Sequence, residues 1–172
     1  DVRLCDSCLV AMEIFSEPMC VRCGAPLPAI LFPHPDVAPS PPTHAGCYHC
    51  SGPKLWFDET IALGAYEELL REIILRMKNA TGDSLTLAMG RLLVKLRAGR
   101  LAALNADVVA PIPSHWRRRF VHRTNSAALL AEVLAGSLRL PLAERMVKRS
   151  RYTVRQSDLS SKDRWSNMRR AF

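Results

Sequence analysis

Residues 57–83 read FDETIALGAYEELLREIILRMKNATGD, and this stretch decides the fold. Phe57 to Tyr66 has an apolar, β-rich centre, Ile61-Ala62-Leu63-Gly64-Ala65-Tyr66, and predicts a strand. The period then changes. Leu69, Leu70, Ile73, Ile74 and Met77 recur at the spacing that lines one face of a helix. Asn79-Ala80-Thr81-Gly82 ends that helix, with Gly82 expected as its C-terminal cap.

The same alternation continues downstream. A second helix is expected from Asp83 or Ser84 to Ala98, with Leu85, Met89, Leu92, Leu93 and Leu96 on one face. Residues 107–113 (DVVAPIP) form an apolar run closed by prolines, the pattern of a buried parallel strand entering a loop. A third helix begins near Thr124 and turns Leu129, Leu130, Val133, Leu134 and Leu138 inward. Arg145 to Arg149 reads as a short edge strand. Ser160 to Arg170 reads as a short helix with Ser160 or Ser161 as N-cap and Asp163 in its first turn. Strands alternating with helices imply an α/β fold with a mostly parallel sheet and flanking helices across residues 59–172.

Residues 1–58 are built differently. They hold all six cysteines, and seven of the twelve prolines lie between Pro26 and Pro42. Proline excludes helix and central strand there, so an extended surface loop is expected. So short and proline-rich a segment needs a metal core to organise it. The cysteines form three C-x-x-C pairs: Cys5/Cys8, Cys20/Cys23 and Cys47/Cys50. Two residues between thiols suit a turn that aims both sulfurs at one tetrahedral ion. Three disulfides are the competing reading, but this pairing is unlike a secreted framework.

Four ligands close a structural zinc site, so six cysteines do not divide evenly. Cys20 and Cys23 are followed by Gly24, and Cys47 and Cys50 by Ser51-Gly52; Cys5-Asp6-Ser7-Cys8-Leu9 has no such glycine. This favours one site at Cys20, Cys23, Cys47 and Cys50, with Cys5 and Cys8 as half of a second, incomplete site. The alternative joins Cys5, Cys8, Cys20 and Cys23 and leaves Cys47/Cys50 without partners. His34, His44 and His49 are possible substitutes, more naturally read as loop histidines. All-cysteine ligation points to a structural ion rather than a catalytic one.

The chain has 172 residues, 48% hydrophobic and 23% charged, enough apolar content for a sizeable core. No apolar run reaches the roughly 20 residues that span a bilayer, so no membrane insertion is expected. The charged start, Asp1-Val2-Arg3, is unlike a signal peptide, and a cytoplasmic location follows. Residue 1 is not Met, so the natural chain is expected to start earlier. Net charge is +8, and it is segregated: residues 1–114 sum to −2 and residues 115–172 to +10. Nineteen of the 24 basic residues are Arg, whose planar fork suits phosphate. A phosphate-bearing partner is implied, either a small phosphorylated ligand or a nucleic acid.

Two segments carry that expectation. Pro111 to His115, followed by Arg117, Arg118 and Arg119, lies between a strand end and a helix start, where α/β sheets bind ligands and phosphates meet free N–H groups. Arg123, Thr124, Asn125 and Ser126 lead into the third helix. Arg149 to Ser160 is polar and aperiodic, and reads as a mobile loop able to close over a ligand.

In order, the C-x-x-C pairs, residues 57–83, residues 108–135 (VVAPIPSHWRRRFVHRTNSAALLAEVLA) and residues 151–172 (RYTVRQSDLSSKDRWSNMRRAF) resemble the ComF/GntX family. The resemblance covers nearly the whole chain. It is most specific where Arg151, Thr153, Gln156, Leu159, Ser160, Arg164, Asn167, Ala171 and Phe172 match the pattern R-x-T-x-x-Q-x-x-L-S, R-x-x-N, A-F. It implies a double zinc ribbon (1–58, with its first knuckle pair missing) joined to a type I phosphoribosyltransferase-like domain (59–172). It implies structural zinc, a phosphoribosyl diphosphate ligand with magnesium in the full-length chain, and a link to natural competence and DNA uptake. Single-stranded DNA or a DNA-uptake helicase would be partners. The ligand-side residues it implies are Lys78, Pro113, Ser114, His115, Asn125, Arg151, Gln156 and Arg164, beside Arg117–Arg119. The family's R-G-F-N-Q reads His122-Arg123-Thr124-Asn125-Ser126 here, keeping Asn125; its L-K-Y reads Met77-Lys78-Asn79, keeping Lys78. The family's phosphoribosyl-diphosphate loop, paired acids followed by T-G-A-T, is expected beyond Phe172. The chain is thus expected to be a fragment, inactive alone. A non-catalytic nucleic-acid-binding adaptor is the other function class.

Overall fold

A computed structural model describes residues 4–12, 14, 19–27, 47–52, 55–115 and 125–172. Most of the proline-rich stretch, His34, His44, Arg117–Arg119, Arg123 and Thr124 lie outside these residues. The described chain is helical: α1 (Asp6–Ala11), α2 (Glu68–Met77), α3 (Asp83–Ala103), α4 (Ser126–Leu138) and α5 (Ser161–Met168), with a 3-10 turn at Gln156–Asp158.

The apolar spacing of α2 works as its sequence implies. Leu70 and Ile73 are buried, and Leu69, Ile74 and Met77 pack around them. Met12 of the turn after α1 and Met89 of α3 complete this core, with Leu4, Leu9 and Ile14 against it. The first residues of the chain therefore share a core with α2 and α3.

Helix α3 has two working faces. Leu85, Met89 and Leu92 join the α2 core. The buried Thr86 and Gly90 lie on another side. A Cβ placed on Gly90 would stand 3.1 Å from both Leu130 and Val133, so the absence of a side chain sets how closely α4 approaches. Ala131 and Ala135 are the buried residues of α4, and the leucines and Val133 flank them half-buried. Leu96, expected inside, is 41% exposed. It precedes Arg97, whose φ of −121° and ψ of 18° bend the helix. Gly82 is the N-cap of α3 with φ −84°, not a left-handed C-terminal cap of α2; Lys78 ends α2.

The expected strands take other forms. Among the described residues there are only two isolated bridges, Met19 with Pro26 (antiparallel) and Val109 with Leu142 (parallel). A strand exists only by pairing. In residues 59–63 several carbonyls instead accept from arginines of α3, as described below. In residues 107–113, Pro111 and Pro113 have no N–H to donate, pairing stops at Val109, and Ile112 is 61% exposed. Residues 144–147 turn rather than extend, with the Met146 N–H donating to the Ala143 carbonyl at 3.2 Å.

Helix α5 begins as its sequence implies. The Ser160 hydroxyl accepts from the Asp163 N–H at 3.3 Å. The loop before it, expected to be mobile for want of anchors, is pinned by polar bonds. Arg151 donates to the carbonyls of Asn167 (2.7 Å) and Arg169 (2.9 Å). Arg164 donates to those of Gln156 (2.9 Å) and Leu159 (3.2 Å), and the Asn167 amide to that of Val154 (3.1 Å). Thr153 is buried beneath and bonded to Arg149.

Candidate metal centre and phosphate-facing loop

Residues 19–26 form a tight hairpin around the second C-x-x-C pair. The Cys20 N–H donates to the Ala25 carbonyl and the Gly24 N–H to the Cys20 carbonyl, both at 2.8 Å. Gly24 has φ +74°, a left-handed conformation that other residues adopt only at a cost. The third pair turns similarly: the Cys50 and Ser51 N–H groups donate to the Cys47 carbonyl at 2.9 and 2.8 Å. Nothing lies within 4 Å of a Cβ built on Gly52, so that position does not require glycine.

The two turns bring four sulfurs together. Cys20 and Cys50 Sγ are 3.8 Å apart, Cys23 and Cys47 3.6 Å, and Cys47 and Cys50 4.0 Å. All four lie within 4.8 Å of one another. A tetrahedron of thiolates about 2.3 Å from a zinc ion has edges of about 3.8 Å, so the donor set fits. None of these cysteines is in a disulfide. The Cys47 N–H also donates to Cys50 Sγ at 3.3 Å, a bond that favours a thiolate.

The thiols are electrostatically unequal. Burial opposes ionisation of Cys20, but hydrogen bonds from the Cys23 and Arg22 backbone and from the Cys23 and Cys47 thiols outweigh it and bring the group down to about 7. Burial pushes Cys23 up to about 12, and its neighbours' thiols add to that. A divalent ion would displace the protons and take all four sulfurs as thiolates.

Cys5 and Cys8 stand elsewhere. Cys5 is the N-cap of α1 and Cys8 lies within the helix. Among the described residues no further ligand completes a group with them. The Ser7 hydroxyl, 3.2 Å from Cys5 Sγ, and Cys8 lower the Cys5 thiol to about 7.

The residues expected to face phosphate fall into two neighbourhoods. The Ser126 hydroxyl donates to the Met77 carbonyl at 2.6 Å, joining the end of α2, where Lys78 sits, to the start of α4, where Asn125 is the N-cap. The buried His115 ring meets Tyr152 edge to face at 5.3 Å, joining the Pro113-Ser114-His115 loop to the Arg151 segment. Ser114 Oγ and both amide atoms of Gln156 are buried without hydrogen-bond partners. Arg151 and Arg164 hold main-chain carbonyls, a duty not legible in their spacing.

Reasoning from sequence also missed Arg97, Arg100, Glu59 and Thr60. The Thr60 N–H donates to the Val21 carbonyl, between the two ligating cysteines of the hairpin, at 3.0 Å. The only signal for the arginines was their i, i+3 placement near the end of a helix that also carries Arg91 and Lys95.

No helix of the described residues is long and apolar enough to cross a membrane. No family model and no solved structure matches the chain. Competence protein F of Haemophilus influenzae is 30% identical, across 98% of this chain and 69% of that protein. With that identity over nearly its full length, and with a four-cysteine cluster shaped for a metal ion, the chain belongs to the Competence protein F, or ComF, family.

Proposed function

We propose that this protein serves natural competence as a zinc-centred, phosphoribosyltransferase-like protein that binds the diphosphate end of phosphoribosyl diphosphate at the 113–115 loop. The relative's name carries the competence link. The observation that carries the ligand is the meeting of His115 and Tyr152, with the unpartnered Ser114 hydroxyl and Gln156 amide in the same two segments. Buried polar atoms cost free energy when unpaired, roughly 1–3 kcal/mol each, and a polar ligand supplies partners. The parallel bridge Val109–Leu142 supports a parallel sheet with residues 113–115 at its carboxyl edge. Zinc at Cys20, Cys23, Cys47 and Cys50 is structural, and magnesium accompanies the diphosphate.

A second reading has one observation in its favour. Trp165 is 73% exposed on α5, with Lys162 and Arg169 one turn to either side and also exposed. An indole between cations suits a stacked base between phosphates, as a nucleic-acid adaptor requires. Calorimetric titration separates the two. Binding of phosphoribosyl diphosphate and plain diphosphate alike, weakened by Gln156→Ala, supports the first. Binding of single-stranded oligonucleotide alone, falling steeply with salt and lost in Trp165→Ala, replaces it with the second.

A further inference from the structure

Residues 59–63 join the metal hairpin to the bent end of α3. On one side, the Thr60 N–H holds the Val21 carbonyl at 3.0 Å. A Cβ on Gly24 would stand 3.1 Å from the Thr60 methyl and 3.5 Å from the Ala62 Cβ, so the hairpin lies directly on this strap. On the other side, Arg97 donates through Nε to the Ala62 carbonyl at 3.0 Å and through Nη2 to the Leu63 carbonyl at 3.4 Å. Arg100 grips the Glu59 carboxylate with Nη2 at 2.5 Å and Nε at 3.0 Å, and reaches the Thr60 carbonyl at 3.3 Å. The Arg100 and Glu59 side chains are only 26% and 23% exposed, which shields their attraction from water. Arg97 is also the residue at which α3 leaves helical geometry.

We propose that Arg97 and Arg100 are positioning residues of the metal centre. Through residues 59–63 they hold the Cys20–Cys23 turn in its metal-binding shape, and the bound ion in turn holds the last turn of α3. Hydrogen-bonding groups beyond the ligands commonly change metal affinity by about 10–100-fold. Linkage is reciprocal, so what the arginines give to metal affinity, the metal gives back to the order of the helix end. The proposal rests on metal occupancy of Cys20, Cys23, Cys47 and Cys50.

The test uses the whole chain and cobalt(II), whose absorption bands report the sulfur ligand set. Wild type is titrated first; failure to bind cobalt through sulfur would overturn the metal reading itself. Given binding, Arg97→Ala and Arg100→Ala are each expected to weaken it about tenfold and to shift the cobalt bands. Lys95→Ala, which removes an exposed cation from the same helix, should bind as wild type. Amide exchange at residues 97–101 is expected to speed up when wild type is stripped of metal, while residues 126–138 stay unchanged. In the Arg97→Ala/Arg100→Ala double variant, stripping should have no such effect. Should the alanine variants lose helix signal, Glu59→Gln keeps the shape and removes the charge that Arg100 grips; a smaller but measurable loss of affinity is expected. Cobalt affinity equal to wild type in all arginine and Glu59 variants, or exchange at 97–101 indifferent to metal, overturns the coupling while leaving the metal centre standing.

Discussion

The cysteine hairpins and the C-terminal segment 151–172 are both poor in buried apolar residues, yet they are held by different means. The two turns converge on four sulfurs, and the 19–26 hairpin leans on residues 59–63. The C-terminal segment has no such cluster among its described residues: Arg151, Arg164 and Asn167 reach across it and take its own carbonyls. One region keeps its shape through a shared centre, the other through distributed bonds. A shared centre fails all at once, whereas distributed bonds fail one by one.

Metal removal should produce the largest effect and divide the two regions. Structural zinc contributes on the order of 10 kcal/mol in small metal-organised domains. Chelator or Cys47→Ser should therefore open residues 19–26 and 47–52 to protease while residues 151–172 stay protected. Equal loss of protection in both regions breaks the comparison.

Within the hairpin, Gly24→Ala comes next. It forces a side chain into a φ of +74° and against Thr60 at 3.1 Å. A loss of about 1–3 kcal/mol is expected, read as a lower melting temperature of the metal-loaded protein. In the C-terminal segment, Arg151→Ala should cost only about 1–2 kcal/mol, because its two bonds are exposed and water replaces them. Faster amide exchange confined to residues 151–170 would show it; global unfolding would mean that the bonds are not distributed. Ser160→Ala removes one cap and should cost about 1 kcal/mol, measured as fraying of α5 alone.

Much of this was legible beforehand, for local reasons. Helices α2, α3 and α4 follow from apolar spacing, and α5 from Ser160 and Asp163, because neighbours in sequence supply those signals. The grouping of Cys20, Cys23, Cys47 and Cys50 followed from C-x-x-C spacing and the glycines, although only Gly24 turns out to need its glycine. What escaped was non-local. Phe57 to Tyr66 has the composition of a strand, but Arg97 and Arg100, some 34–40 residues away, take its carbonyls. Nothing in Arg151 or Arg164 distinguishes a guanidinium that binds phosphate from one that binds peptide carbonyls; the donors are the same. Helix α1 was missed because Cys5, its N-cap, and Cys8, within it, read together as a knuckle.

The close approach at Gly90 has a consequence for what lengths α3 can tolerate. Gly90 fixes the rotational phase of the helix against Leu130 and Val133, and Arg97 and Arg100 must meet the strap from that phase. Each residue of an α-helix advances the phase by about 100° and the height by about 1.5 Å. One residue inserted between positions 90 and 97 would leave α4 seated and swing both guanidinium groups about 100° away from residues 59–63. The interval between Gly90 and Arg97 is therefore a fixed count, a constraint on length that is separate from the packing of Leu92.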